Sequence, residues 1–173
     1  MDKIRYIDGL LQTLRLHFEE AYEHSGRVAL WASYMAYQCR MDKREISKVY
    51  LCGLLHDIGK IHIPSSILCK PEKLTVEEYE NVKIHSKEGY LLIKDYVSED
   101  IANGVLMHHE RLDGTGYPSQ LKKEEISLFA KIIMIADAYD AMTVSRVYRS
   151  EMLWMDAFTE LKKESQKYDV SCV

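Results

Sequence analysis

Five side chains able to hold a metal stand on helical stripes that are otherwise apolar: His24, His56, His85, His108 and Asp137. Burying an unpaired carboxylate or several adjacent imidazoles is costly unless something compensates, and a bound cation does so. Any one of these histidines alone reads as a hydrogen-bonded core residue. Five together, with carboxylates beside them, read as a metal cluster. His56 and Asp57 are neighbours at a helix end, where a relaxed final turn lets both point to one place, and His108 and His109 form a second vicinal pair. Imidazole nitrogen and carboxylate oxygen without thiolate suit Fe(II), Mn(II), Ni(II) or Zn(II), and a bridging Asp suits two metals in one site. Glu20 lies four residues before His24, on the same face of a continuous helix, and would extend the site to a third metal.

The elements that must bring these residues together are helical by period. Ile4, Ile7, Leu11, Leu14 and Phe18 make one stripe, and His24, Val28, Trp31 and Met35 the next. No Gly or Pro cleanly separates them, so a bend near Glu20 is left open. Asp42 with Glu45 resembles a helix start, after which Ile46, Val49, Gly53 and His56 share a face up to HDIGK. Residues 61–73, with Pro64 and Pro71, read as an ordered connection. Thr75 and Glu78 form a capping box opening a helix with Val82, His85, Gly89 and Leu92 on its inner stripe. Ser98 caps a helix carrying Ile101, Val105 and His108 ahead of the turn-rich DGTGYP. A helix from about Ser127 aligns Phe129, Ile133, Asp137 and Asp140, and a last one from about Ser150 carries Met152, Ala157 and Leu161. With no hairpin dipeptide and no alternating run, the expectation is an all-α bundle of about six to seven helices around the metal site. It should be a single domain over residues 1–173, with no separate sensor module.

Composition narrows the function classes. The 173 residues are 47% hydrophobic and 29% charged with only 8 Gly and 3 Pro, which fits one folded domain and neither disorder nor a repeat array. Lys and Arg total 23 against 27 Asp and Glu, interspersed to a net charge of -4, which argues against a nucleic-acid polymer as partner. Apolar runs fall far short of the ~18 residues of a membrane span. The charged start is unlike a secretory signal, so the expected location is the cytoplasm, without membrane insertion. Cys39, Cys52, Cys69 and Cys172 lie far apart, lack C-x-x-C spacing and read as free thiols. Asp140, one turn beyond Asp137, reads as an acid that orients a ligand or as a hydrogen-bonding group in helix packing, and not as a ligand itself. Asp113, Gly114 and Gly116 suit a tight turn in which Asp folds onto the backbone.

Four segments in order, LLHDIGKIHIP, HSKEGY, HHERLDGTGYP and IADAYDAMTVSRVYR, resemble the HD-GYP subgroup of the HD-domain metal-dependent phosphohydrolases, a resemblance running from about Glu20 to about Leu161. It implies a bacterial phosphodiesterase that hydrolyses the second messenger cyclic di-GMP to pGpG and in some members to GMP. By motif, the ligands would be His24, His56, Asp57, His85, His108, His109 and Asp137, with Glu20 added in trinuclear members; the cofactors would be two or three divalent ions, Fe or Mn. Asp57 and Lys60 would be the catalytic pair of HDIGK, with Lys60 neutralising a phosphate oxygen. Arg146 and Arg149 are spaced for a bidentate phosphate clamp where the family places basic substrate-binding residues. Val144 and Val147 stand there where Ser and Pro are frequent. Tyr117 of GYP would contact a guanine or a partner protein, and Asp113 would shape that loop.

Two divalent ions against the carboxylates of Asp57 and Asp137 leave +2, so the metal-loaded pocket attracts a phosphodiester and the empty one repels it. The expected step is in-line attack of water on phosphorus without a covalent intermediate. Two other readings remain: hydrolysis of another cyclic dinucleotide such as cyclic GMP-AMP, or a non-catalytic cyclic-di-GMP-binding adaptor docking on diguanylate cyclases through its GYP surface. Candidate partners are such a cyclase, a separate sensor protein and a second copy of the chain.

Overall fold

In the computed structural model, residues 2–144 and 152–169 are described, and they form nine α-helices, two 3-10 turns and no strand. The first two stripes are separate helices, α1 (Lys3–His17) and α2 (Glu19–Gln38), joined at Phe18, whose φ of -154° and ψ of 84° break the helix without Gly or Pro. Asp42 opens α3 (Lys43–Leu55) with the expected capping box. The connection that follows contains a 3-10 turn (Ile58–His62) and the short α4 (Ser65–Leu68). Thr75 caps α5 (Val76–Lys83) as expected, but this helix ends at Ile84 and His85 opens α6 (His85–Ile93). Ile84 keeps αR angles, so the apolar stripe passes through the break and the period alone cannot reveal it. Then come α7 (Glu99–Met107), a second 3-10 turn (Lys123–Glu125), α8 (Leu128–Thr143) and α9 (Trp154–Lys163).

The most deeply enclosed helix is α8, which buries Phe129, Ala130, five consecutive residues from Ile132 to Ala136, Tyr139 and Asp140. Against it packs α2, whose buried Ala29, Ala32 and Ala36 permit close approach to both α8 and α3. The α2–α3 crossing is tight at Gly53, where a Cβ would lie 2.6 Å from Ala29 Cα. Helix α7 covers α3 and α8, and α6 covers α7 and the Ile58–His62 turn. One core cluster runs from Leu14 through Val28, Leu55, Val105 and Ile133 to Leu161. No helix among the described residues is long and apolar enough to cross a membrane. Cys39, Cys52 and Cys69 form no disulfide, and Cys172 lies outside the described residues.

Candidate metal centre

Helix ends deliver most of the polar cluster. His56 stands at the C-terminus of α3 with αR angles, and Asp57 follows at φ -97°, ψ 7°, where the helix tightens into the 3-10 turn. That turn presses onto α6 at Gly59, where a Cβ would collide with the His85 carbonyl oxygen and lie 2.5 Å from Gly89 N. His85 is the first residue of α6, and His108 and His109 leave the end of α7. From the middle of the bundle, α2 contributes His24 and α8 contributes Asp137 and Asp140.

The histidine nitrogens are sorted by their backbone bonds. His56 Nδ1 lies 2.7 Å from Gly53 O, His85 Nδ1 2.7 Å from Val82 O, and His108 Nδ1 2.6 Å from Val105 O. A carbonyl only accepts, so each Nδ1 carries the proton and each Nε2 presents a lone pair. Two of those lone pairs face each other, His85 Nε2 lying 3.2 Å from His108 Nε2, and His109 Nε2 lies 3.1 Å from the same His85 nitrogen. His56 Nε2 is buried without a hydrogen-bond partner. Burial holds all four rings below the usual histidine pKa, His109 down to about 3, so the neutral form is favoured and a second proton does not relieve the contact between His85 Nε2 and His108 Nε2. Bare lone pairs in contact repel, and a cation among them removes the repulsion.

Asp57, 2% exposed, joins two sets of ligand atoms. One set is His24, His56 and Asp57; the other is Asp57, His85, His108 and His109. Its Oδ2 lies 3.5 Å from His56 Nε2 and 4.0 Å from His24 Nε2, while its Oδ1 lies 3.4 Å from His85 Nε2. One carboxylate oxygen thus faces each set. Burial alone would raise its pKa, but the Lys60 ammonium, 2.6 Å from Oδ2, and the surrounding imidazoles hold it well below the carboxylate range. Lys60 here supplies the positive charge that Asp57 demands.

His24 differs from the other rings. Its Nε2 lies 3.0 Å from Asp137 Oδ1 and its Nδ1 2.7 Å from Asp140 Oδ2. Burial opposes charge on the ring, yet the two acids carry its pKa up to about 9 and are themselves held low. Asp140, 1% exposed, is in turn gripped by Arg27, whose Nε and Nη2 donate at 2.8 and 3.1 Å to its two oxygens. An acid behind a ligating histidine fixes its ring and raises its basicity. Asp140→Asn should therefore weaken Mn(II) binding about 10–100-fold with the helical content unchanged, as read by competition with a chelating dye.

The remaining candidates fall in different places. Glu20 is exposed in the first turn of α2 and belongs to neither ligand set. Tyr117 is half-buried with its ring 4.7 Å from that of His109. Asp113 is exposed and accepts from Thr115 N at 3.0 Å and Thr115 Oγ1 at 2.6 Å, so it shapes the turn and does not touch the ligands. Arg146 and Arg149 lie outside the described residues.

Two contributors escaped the sequence reading. Arg27 is one; its only signal is its place three residues after His24. The other is Glu110, 1% exposed, whose carboxyl oxygens accept from Ser119 N at 2.7 Å and Leu121 N at 3.0 Å, folding the GYP loop over the end of α7. Tyr117 N adds a bond of 3.1 Å to His109 O. Together these walls bound a cavity of about 860 Å³ lined by Lys60, Lys83, His85, His109, Tyr117 and Asp137 among others.

A model of the HD domain matches residues 10–172. A cyclic di-GMP phosphodiesterase of Pseudomonas aeruginosa is 35% identical over 96% of this chain and 41% of its own length. The 3'3'-cGAMP-specific phosphodiesterase 1 of Vibrio cholerae is 36% identical over 86% of this chain and 36% of its own length. The chain thus spans about two fifths of these curated relatives. Among solved structures, the L. monocytogenes phosphodiesterase PgpH HD domain in complex with cyclic-di-AMP superposes with a TM-score of 0.69 at 22% identity, over 91% of this chain and 82% of that one, which establishes the shared fold. With a helical bundle that gathers histidines and aspartates from α2, α3, α6, α7 and α8 at its centre, the chain belongs to the HD domain family.

Proposed function

We propose that this chain is a metal-dependent phosphodiesterase that hydrolyses cyclic di-GMP to pGpG, and onward to GMP if the linear product rebinds. The observation that carries the reading is Asp57, one oxygen toward each of two ligand sets, beside His85, His108 and His109, which line a cavity together with Lys60, Lys83 and Lys87. Bound there, two divalent ions of the kind that imidazole and carboxylate donors suit, Fe(II) or Mn(II) by the family resemblance, would supply Lewis acidity and a water acidified toward neutrality. Glu20 would serve only a third ion.

The protein's own part is positional. Asp140 and Arg27 hold the His24 ring. The carbonyls of Gly53, Val82 and Val105 hold His56, His85 and His108 in the tautomer that leaves Nε2 free. Lys60 reaches the cavity to neutralise a phosphate oxygen, and Tyr117 over His109 forms a wall that limits entry of water. Arg146 and Arg149 complete the reading as a phosphate clamp.

Relatives named for cyclic di-GMP and for 3'3'-cGAMP both align with this chain, so base preference is the open choice within the class. The test is hydrolysis by anaerobically purified protein reloaded with Fe(II) or Mn(II). Cyclic di-GMP, 3'3'-cGAMP and cyclic di-AMP are offered singly and in competition, and the products are resolved by chromatography. Metal-dependent pGpG formed fastest from cyclic di-GMP supports the proposal. Faster cleavage of 3'3'-cGAMP moves the substrate to that dinucleotide. Binding without product from loaded protein supports the adaptor.

A further inference from the structure

A cyclic dinucleotide carries two phosphodiesters, and only one can sit at the metal centre at a time. The other must lie elsewhere in the same cavity, in surroundings that accept a second negative charge. Of the cations lining the cavity, Lys60 lies 2.6 Å from Asp57 and so serves the phosphate at the metal centre, not a distant one. Lys83 is differently placed. It stands at the C-terminal end of α5, two residues before His85 opens α6, with its ammonium 4.8 Å from the Tyr79 ring centre and 5.6 Å from the Tyr117 ring centre. All three side chains line the cavity.

Its anionic partner is Glu80, three residues earlier on the same helix; Lys83 is half-buried and Glu80 is 60% accessible, so water reaches the acid side of the pair. Water screens an ion pair whose acid is this accessible, so a phosphate can compete for the ammonium. Two aromatic faces beside that ammonium also suit a base, which stacks irrespective of its identity. Lys87, four residues on, lines the cavity too and adds to the positive field, and no carboxylate lies between the two lysines in sequence.

Resting on the substrate class proposed above, we infer that Lys83, between Tyr79 and Tyr117, forms the subsite for the nucleotide half that is not being cleaved, with its ammonium on the distal phosphate. The subsite selects a substrate with two phosphates over one with a single phosphate and takes no part in the displacement itself.

Lys83→Met and Lys83→Arg test this in the Mn(II)-loaded chain against cyclic di-GMP and bis(p-nitrophenyl) phosphate, a diester with one phosphate. Lys83→Met should raise KM for cyclic di-GMP about tenfold, with kcat within twofold and cleavage of the small diester little changed; Lys83→Arg should restore most of the affinity. The Kd of the non-hydrolysable bisphosphorothioate analogue should rise by the same factor. Unchanged KM and Kd would overturn the subsite. An equal loss on both substrates would place Lys83 in the metal chemistry and overturn it as well. A parent chain that cleaves the small diester but no cyclic dinucleotide would overturn the substrate class, a result distinct from either.

Discussion

Asp57→Asn is expected to lower cyclic di-GMP turnover at least about 10³-fold, a barrier increase of about 4 kcal/mol at 1.36 kcal/mol per decade. The size of the effect follows from sharing: Oδ2 faces His24 and His56 while Oδ1 faces His85, so one substitution damages both ligand sets. An amide keeps the volume but brings one weaker acceptor and an N–H that points at a lone pair. The variant should retain its helical content, because Asp57 contacts Lys60 and the ligand histidines and takes no part in the apolar core. Metal analysis alongside turnover checks the cause. Turnover within tenfold of the parent, with a full metal complement, would remove Asp57 from its shared position.

The second large effect is structural. Gly59→Ala should lower stability by about 3 kcal/mol, near the upper end of overpacking costs, because the new Cβ meets the backbone of α6 at His85 and Gly89 and not the tip of a flexible side chain. At about 2–4 °C per kcal/mol for a chain of this size, Tm should fall by about 6–12 °C. Metal affinity should fall with it, since the same contact sets the distance from Asp57 to His85. Thermal unfolding with and without Mn(II) reads both effects. A variant as stable as the parent would mean that α6 moves away freely, and the close approach would then not be what positions His85.

Helical period brings His24, His56, His85 and His108 to buried positions because polar residues on an apolar stripe face the core, whereas Asp137 on the same kind of stripe is only half-buried and belongs to neither ligand set. The capping boxes at Asp42 and Thr75 were equally legible, since each is written within four residues. What could not be read depends on partners far away in the chain. Arg27 meets Asp140 across 113 positions, and the buried Glu110 finds its donors only once the loop has folded back. The break at Ile84 and the exposure of Glu20 are likewise tertiary outcomes: the stripe is continuous through the first, and the spacing to His24 is unaltered by the second.

The most direct test of the account is a titration of metal-free protein with Mn(II) under anaerobic conditions, following cyclic di-GMP hydrolysis at each addition. The account predicts no product without metal and a rise that saturates at two equivalents per chain, one for each set of ligands that Asp57 joins. Full turnover in the presence of excess chelator, or none with two equivalents bound, would contradict it.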